Sequence, residues 1–353
     1  MKKTRRRRVF ALAAFAALAF CVMPEGDNAV QTSSARADTA RVMIPGGQAV
    51  GVALKTQGVL VISRSSRQEG RTPLRVGDVI LSVQGENVSS AQELSRKISR
   101  ADVDSVELSV LRAGRAIRLK ADVPASSTDG RRRLGVWVRD STAGVGTLSY
   151  VDPQTLVYGA LGHAIVDGDT GDMLSVKDGA ILEADVVGVT RGESGRAGEL
   201  KGSFLKEGKQ IGSLVRNSVY GIYGTMNSKP ESQLYPDGLP VGERRQVHEG
   251  AATIISTVDH LGPQEYSVEI LRCFDQDRPS QKGMILRVTD RRLLDKTGGI
   301  VQGMSGSPII QDGKLIGALT HVYLSDPAQG YGMYIEWMLE QSDVMEENAQ
   351  QAA

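Results

Sequence analysis

Short runs that alternate apolar and polar residues make up most of the chain between residues 41 and 345. The run Gly58 to Ile62 is one predicted strand, and residues 106–110 and 117–119 alternate on either side of a turn at Ala113-Gly114. Because successive side chains of a strand point to opposite faces, a period of two predicts β-strands, and two such runs around a glycine turn predict a hairpin. The pattern therefore predicts a mostly β protein.

Residues 41–123 carry the signals of a small α+β module. A turn, a strand and a second glycine turn follow one another from Leu74 to Gly85. Ser90 to Glu93 has the spacing of a capping box, which predicts a helix with Leu94 and Ile98 on one face. Together these segments resemble a PDZ domain of the bacterial kind, a module that binds a peptide by adding it as a strand to a sheet edge. The alternative is a spacer that binds no ligand.

The resemblance to PDZ domains also implies where a peptide would bind. The segment Val50 to Leu54 resembles the loop whose backbone N–H groups receive a peptide carboxylate. The implied peptide-binding residues are Gly51, Val52, Ala53 and Leu54. The peptide itself would lie beside the predicted strand Gly58 to Ile62.

The rest of the chain predicts a second, larger β domain. Residues 124–133 are polar and contain three arginines, which is typical of an exposed linker. Residues 134–345 consist of many short β-branched runs broken by glycine, the pattern of barrels and sandwiches. Their length suffices for the double β-barrel of chymotrypsin-like proteases, with Glu336 to Leu339 in a terminal helix. Residues 346–353 form a polar tail.

The N-terminus, residues 1–40, predicts export from the cytoplasm. Six basic residues lie within residues 1–8, and the uncharged apolar run Val9 to Met23 follows them. Fifteen residues is the length of a signal-peptide core and is short for a membrane span, which needs about 20 residues. The segment is therefore an export signal or a membrane anchor, and its removal is left open. Polar, small residues 24–40 read as a linker.

Charge and cysteine content exclude several classes of protein. The net charge is +1, and without the six basic residues of the N-terminus the remainder is formally negative, so nucleic acid is not an expected partner. Cys273 is the only cysteine beyond the apolar segment, and the four histidines form no sequence cluster. The sequence therefore predicts no metal site and no cofactor.

Candidate chemistry lies in the segment Gly303-Met304-Ser305-Gly306-Ser307-Pro308. A serine between glycines, followed by a small residue and a proline, resembles the nucleophile loop of chymotrypsin-type serine proteases. Such a loop must project the hydroxyl and turn backbone N–H groups toward one point to hold an oxyanion, and glycine permits the required backbone angles. By position, Gly303 and Ser305 are the predicted oxyanion donors. A plain Gly/Ser turn between strands is the alternative.

A general base is predicted at His163, which lies in a small-residue segment 142 residues before Ser305. Histidine before serine is the chain order of chymotrypsin-like folds. His248 and His260 lie in polar or turn-like stretches and read as structural or surface residues. His321 follows Ser305 by 16 residues and lies where such folds line the specificity pocket, so it either lines the pocket or packs in a strand.

The Gly-His-Ala segment around His163 and the run Gly298 to Pro308 resemble the peptidase family of stage IV sporulation protein B. Residues 313–322 and 330–338 extend the resemblance, which covers nearly the whole chain. It implies that Asp290, 15 residues before Ser305, is the acid that orients His163. Asp185, Asp259 and Asp295 also lie between the histidine and the serine and read as turn or surface acids.

The resemblance implies an exported serine endopeptidase of sporulation signalling. Its expected substrates are its own N-terminal region and an extracytoplasmic part of a membrane-bound regulator of an intramembrane protease. Cleavage would lead to activation of a late sigma factor, in the space between the forespore and mother-cell membranes. Two alternatives are a catalytically inactive PDZ scaffold and a quality-control protease of the HtrA kind, although HtrA proteases place the protease before the PDZ domain.

Overall fold

The computed structural model describes residues 41–65, 72–126, 129–203, 209–230, 232 and 234–352, and side chains through residue 347. The predicted N-terminal export segment lies outside the described residues. The strands of the first half of the described chain are β1 (Val42–Pro45), β2 (Ala49–Arg64), β3 (Val79–Val83), β4 (Glu86–Asn87), β5 (Ser105–Arg112), β6 (Arg115–Asp122), β7 (Val136–Val151), β8 (Val157–Ala160), β9 (Val176–Glu183), β10 (Asp185–Thr190), β11 (Glu199–Ser203), β12 (Gln210–Ser213), β13 (Arg216–Ser218) and β14 (Gly221–Thr225).

The second half contributes the remaining strands β15 (Leu239–Pro240), β16 (Gly250–Thr257), β17 (Pro263–Cys273), β18 (Met284–Val288), β19 (Pro308–Gln311), β20 (Lys314–Tyr323) and β21 (Asp326–Tyr334). The helices are α1 (Ala91–Arg100), α2 (Arg291–Thr297) and α3 (Ile335–Ala352), with a short 3₁₀ helix at Arg244–Gln246. The fold is therefore mostly β, as predicted. No helix among the residues that the structure describes is both long and apolar enough to cross a membrane.

Strands β16 to β21 close into a six-stranded barrel in the order β16-β17-β18-β21-β20-β19. Alternating residues of these strands point inward, and Ile254, Leu286 and Met333 are fully buried in its core. The predicted terminal helix is present as α3, whose Ile335 and Met338 pack against the same core. This helix extends to residue 352 and so includes most of the segment predicted as a polar tail.

A second sheet faces this barrel and is built around β2 and β7, each 16 residues long. The first half of β2 lies between β7 on one edge and β9 on the other. Val50, Val52 and Leu54 pack with Leu148 and Ile181 in a core of their own. Both sheets contribute to the larger domain, in agreement with the predicted chymotrypsin-like class.

The second half of β2 and the first half of β7 continue into the PDZ-like module. There Leu60 pairs with Val79 of β3, and β3, β5 and β6 follow as neighbours in one sheet. The module has a separate core that contains Val59, Leu94 and Leu108. The module is thus inserted between two halves of strands that belong to the larger domain.

The PDZ-like module therefore does not begin at residue 41, where the sequence analysis places its start. Strand β1 pairs with β7 and β15, and residues 49–56 pair with β7 and β9, so both segments belong to the larger domain. The core of the PDZ-like module begins at Val59 and includes Leu134, which the sequence pattern places at the start of the larger domain. Alternation predicts where strands lie, but it does not identify their partners.

Two local predictions inside the module are confirmed. Ser90 is the N-cap of α1 and its hydroxyl accepts a hydrogen bond from the N–H of Glu93, while Leu94 and Ile98 are buried. The hairpin turns at Ala113 and Gly114, which have positive φ angles of 49° and 76°. Such angles match the twist of the two flanking strands.

The predicted carboxylate-receiving loop at Gly51, Val52, Ala53 and Leu54 is not a loop. These four residues lie inside β2, and both edges of this part of the strand are paired, with β7 and with β9. Because paired backbone groups cannot receive a peptide, this part of the prediction is wrong. The apolar alternation at these positions serves the core of the larger domain instead.

Candidate active site

A cavity of about 830 Å³ lies where the two sheets of the larger domain meet. Ser305, Gly303 and His163 all line it, so the structure brings together three of the residues predicted for catalysis and the oxyanion site. The other lining residues come mainly from β7, from the loop around His163, from the loop before β19 and from β20. Those used below are Thr142, Ala143, Gly144, Val145, Gly146, Thr320 and His321.

Ser305 lies in a tight loop between two glycines with positive φ angles, Gly303 at 97° and Gly306 at 97°. A Cβ on Gly306 would lie 2.3 Å from the carbonyl oxygen of Thr147 and 2.5 Å from the nitrogen of Leu161. Glycine is therefore required here for both backbone conformation and space. The Ser305 hydroxyl donates a hydrogen bond to the carbonyl oxygen of Thr320, 2.8 Å away.

His163 follows a sharp turn in which Leu161 and Gly162 have positive φ angles of 70° and 68°. A Cβ on Gly162 would lie 3.0 Å from the side chain of Thr320, so the histidine loop packs against the residue that accepts the Ser305 hydrogen bond. His163 Nδ1 lies 2.9 Å from the carbonyl oxygen of Ala164. A carbonyl can only accept, so this contact favours the tautomer with its proton on Nδ1 and leaves Nε2 free to act as a base.

The loop before Ser305 is held by hydrogen bonds to its carbonyl groups. The hydroxyl of Thr147 donates to the carbonyl oxygen of Gly303 at 2.7 Å. The N–H and hydroxyl of Ser307 both donate to the carbonyl oxygen of Met304. The N–H of Leu200 donates to the carbonyl oxygen of Gln302.

These carbonyl contacts fix the direction of the predicted oxyanion donors. In a trans peptide the N–H points away from the C=O of the preceding residue, so anchoring the carbonyls of Gln302 and Met304 sets the N–H directions of Gly303 and Ser305. Within the described part of the chain, neither of these two N–H groups has a hydrogen-bond acceptor. Both remain available to stabilise an oxyanion.

His321 lies on β20, and its ring centroid is 5.8 Å from that of His163. Desolvation at the cavity wall lowers the pKa of His321, and the nearby His163 and Lys282 lower it further. His321 therefore lines the cavity, which is one of the two roles predicted from the sequence.

Asp290 lies elsewhere in the structure. It is the N-cap of α2, where its carboxylate accepts hydrogen bonds from the N–H and side chain of Arg292 and from the N–H of Ser267. The hydrogen bonds to Arg292, opposed by partial burial, hold the pKa of this carboxyl below its usual value. Asp290 does not line the cavity of His163 and Ser305, so its role as the orienting acid stays a prediction that this geometry does not support.

Thr147 and Thr320 are site residues that were not predicted from the sequence. Both act on the nucleophile loop through hydrogen bonds across more than ten residues of sequence, and no local motif marks such a contact. The described residues contain no group of three or more His, Cys, Asp or Glu side chains arranged to hold a metal ion.

Comparisons with known proteins identify the family of the chain. A family model described as SpoIVB peptidase S55 matches residues 130–339, which is more than half of the chain. No curated protein matches the chain in sequence.

Several solved structures are similar to parts of the chain. The PDZ domain of an SdrC-like protein from Listeria monocytogenes has 21% identity and a TM-score of 0.21, with 23% of this chain and 87% of that chain covered. The active form of the Rv3671c protease from M. tuberculosis has 14% identity and a TM-score of 0.31, with 57% and 73% covered. The HtrA-type protease AlgW with a tripeptide has 11% identity and a TM-score of 0.34, with 56% and 54% covered.

Proposed function

Because this chain belongs to the SpoIVB peptidase S55 family, we propose that it is an exported serine endopeptidase of sporulation signalling. The observation that carries the proposal is the cavity in which Ser305, His163 and two unpartnered backbone N–H groups of the described chain meet. This set supplies a nucleophile, a base and an oxyanion site, which are the three elements that acyl transfer requires.

In the proposed mechanism Ser305 Oγ attacks the carbonyl carbon of a peptide bond and passes its proton to Nε2 of His163. The N–H groups of Gly303 and Ser305 bind the oxyanion of the tetrahedral intermediate. His163 then returns the proton to the leaving amine, and the acyl-enzyme is hydrolysed by water through the same steps. For this reaction the Ser305 hydroxyl must exchange its hydrogen bond with Thr320 for one with His163.

The proposed substrates follow from the family resemblance. They are the chain's own N-terminal region and an extracytoplasmic part of a membrane-bound regulator of an intramembrane protease. Cleavage of the regulator would release the intramembrane protease, which activates a late sigma factor. The proposed location is the space between the forespore and mother-cell membranes. The basic and apolar N-terminal segment supports export, because positive charge is retained on the cytoplasmic side of a membrane.

Labelling with a fluorophosphonate tests the proposed chemistry. The wild-type chain should be labelled at Ser305, and both Ser305→Ala and His163→Ala should lose labelling. His248→Ala is the matched control, because His248 is an exposed histidine paired with Asp312, outside the cavity. An unlabelled wild-type chain that is folded by circular dichroism would favour the inactive PDZ scaffold.

Mass spectrometry of N-termini tests the proposed self-cleavage. Wild type and Ser305→Ala are expressed side by side, and only the wild type should yield a new N-terminus that depends on its own activity. Rapid degradation of unfolded casein by the same preparation would instead favour a quality-control protease.

A further inference from the structure

Positive and negative charge are divided between the two parts of the chain. Residues 58–139, which include the PDZ-like module, contain 15 basic and 9 acidic residues, a formal charge of +6. The remainder of residues 41–353 contains 20 basic and 29 acidic residues, a formal charge of −9. The small net charge of the whole chain conceals this asymmetry. A strongly uneven charge distribution indicates that the basic part contacts an anionic partner.

One end of the sheet in the PDZ-like module collects arginine residues. Val79, the first residue of β3, pairs with Leu60 of β2 and Leu111 of β5, so β2 and β5 both end beyond the start of β3. Strands β6 and β7 begin at the same end, because they are antiparallel to β5 and β2. The arginines on these strand ends, on the turn before β3 and on the loop before β7 define the basic tip, and they are Arg64, Arg75, Arg112, Arg115, Arg131 and Arg133.

The basic tip keeps an excess of positive charge after its ion pairs are counted. Arg112 is neutralised by the buried Asp78, and Arg133 pairs with Asp129. Asp172 of the larger domain also approaches the turn before β3. The other arginines of the tip are exposed and form no ion pair within the described chain, and they are Arg64, Arg75, Arg115 and Arg131. Four free guanidinium groups therefore face solvent at one end of the PDZ-like module.

Two apolar side chains are exposed at the same end. Trp137, near the start of β7, is 68% exposed, and Val76, in the turn before β3, is 49% exposed. Val136 and Val138 pack against the core of the PDZ-like module, so strand alternation directs Trp137 to the opposite face. A tryptophan ring is favoured at the interface between water and lipid, where its apolar body and its N–H group are both accommodated. Arginine around exposed tryptophan and valine is the composition of a surface that binds a membrane interface.

The opposite end of the sheet is acidic and continues into the larger domain. Asp122 of β6 pairs with Ser105 of β5 there, and Asp102 and Asp104 precede β5. Strands β2 and β7 pass this end and enter the larger domain, which carries the excess of acidic residues. Positive and negative charge thus lie toward different ends of the same two strands. An anionic surface would attract the basic tip and repel the larger domain.

We infer that the basic tip docks on an anionic lipid bilayer, with Trp137 in the interface and the free arginines against the lipid phosphates. A bilayer matches both the charge and the exposed apolar groups of the tip. The basic and apolar N-terminal segment would bring the chain to a membrane during export. The tip is a separate membrane contact, so it would hold the chain there even after that segment is removed. The docking itself does not depend on catalysis.

Docking would place the nucleophile close to the bilayer. Strand β7 runs from Trp137 to Thr147, whose N–H donates to the carbonyl oxygen of Ser305. These ten steps along an extended strand span at most about 34 Å, so Ser305 would lie within roughly 40 Å of the docked interface. A membrane-bound substrate presents the first part of its extracytoplasmic chain at this height. This consequence, unlike the docking, rests on the proposed function.

Fluorescence quenching by brominated lipid tests the docking. The full chain carries Ser305→Ala, so that self-cleavage cannot alter it during the measurement. The vesicles consist of acyl-brominated phosphatidylcholine, either alone or mixed with an equal amount of phosphatidylglycerol. The chain has two tryptophans and Trp337 is buried, so the signal of Trp137 is the difference between this chain and one that also carries Trp137→Phe. Trp137 should be quenched on the anionic vesicles, but not on the neutral vesicles or in about 0.5 M KCl, where charge is screened within a few ångströms.

Charge reversal shows whether the basic tip is the contact. Arg64→Glu with Arg115→Glu should weaken the attraction at least about 30-fold and remove the quenching. Arg96→Glu with Arg100→Glu is the matched control, because these exposed arginines of α1 line a cleft with Glu86 at the opposite end of the sheet. The control pair changes the net charge equally and should keep the quenching. The salt dependence of the parent chain is a measurement that needs no substitution at the tip.

Three results would overturn the inference. Equal quenching on neutral and anionic vesicles would show that the N-terminal segment alone brings Trp137 to the bilayer. Equal losses in the two double variants would show that net charge, and not the basic tip, controls the contact. Absent quenching together with salt-sensitive association in sedimentation velocity without vesicles would identify the acidic larger domain of a second copy as the occupant. None of these results bears on labelling of Ser305, so the proposed function is tested separately.

Discussion

The hydroxyl of Thr147 on β7 donates a hydrogen bond to the carbonyl oxygen of Gly303, 156 residues later in the chain. This contact fixes the peptide that follows Gly303, while the N–H of Thr147 binds the carbonyl of Ser305. One residue of the sheet built around β2 and β7 therefore holds the nucleophile loop of the barrel on both sides of Met304.

Thr147→Val should reduce the rate of fluorophosphonate labelling about tenfold. Valine has a similar shape but no hydroxyl, so it releases the Gly303 carbonyl, which belongs to the peptide between the two oxyanion donors, and the loop that holds both donors becomes less rigid; loss of a whole donor costs about 100- to 1,000-fold. Thr142→Val is the matched control, because Thr142 lies on the same strand and its hydroxyl has no hydrogen-bond partner in the described chain. Equal rates for Thr147→Val and wild type would show that the hydroxyl does not position the loop.

Gly306→Ala should abolish labelling of Ser305 or unfold the larger domain. The added methyl group would lie 2.3 Å from a backbone oxygen of Thr147, which cannot move without disturbing the strand. Gly313→Ala is the comparison: its φ is also positive, at 71°, but the new methyl group meets no atom within 4 Å. It should therefore cost only about 1 kcal/mol of unfolding free energy from backbone strain. Chemical denaturation measures the unfolding free energy of both variants. A similar loss in Gly306→Ala and Gly313→Ala would contradict the conclusion that the loop requires glycine at position 306.

The variant Asp290→Asn tests whether Asp290 orients His163, as the family resemblance implies, or only caps α2, as the structure shows. Asparagine also caps helices well, and the pair with the largely exposed Arg292 contributes at most about 1 kcal/mol. We therefore expect labelling of Ser305 within about twofold of wild type, a range much smaller than the effect of removing an orienting acid. Complete loss of labelling in a folded variant would show that Asp290 reaches His163 in another conformation.

Arg139→Gln should destabilise the chain through its buried partner Asp167. Arg139 forms an ion pair with this carboxylate, whose side chain is fully buried, and a second one with the exposed Asp169 at 2.8 Å. Because Arg139 is itself one-third exposed, we expect the unfolding free energy to fall by about 2 kcal/mol, which is less than the loss from breaking a fully buried ion pair. Arg118→Gln, which breaks an exposed pair with Glu107, should change the unfolding free energy by under about 0.5 kcal/mol.

The pH dependence of stability provides a second measurement on Asp167. Burial alone would raise the pKa of this carboxyl, but hydrogen bonds from the N–H groups of Thr170 and Asp169 and the pair with Arg139 lower it. A lowered pKa stabilises the folded chain at pH values above the ordinary pKa of Asp, about 3.9, and this contribution is lost as the pH falls through the folded value. We expect the free energy of unfolding, measured by chemical denaturation, to fall less between pH 6 and pH 3 for Arg139→Gln than for wild type.

The sequence predicted local features well because their physical causes are local. The cap at Ser90, the hairpin turn at Gly114 and the glycines around Ser305 depend on a few neighbouring residues. The pairing of residues 51–54 could not be predicted in this way, because alternation fixes which face a side chain occupies and not which strand lies beside it. The resemblance assigned Asp290 by its spacing from Ser305, and spacing does not report the direction of a carboxylate.

The insertion of the PDZ-like module has a consequence for the order of folding during synthesis. Strand β1 and the first half of β2 precede the module in the chain, but their partners lie in β7, β9 and β15, the last of which ends at Pro240. The module between them needs only residues up to about 139 and has its own core, so it can fold while the flanking strands wait. Ser305 and its loop follow later still, and the nascent chain therefore carries a folded module before it has a nucleophile.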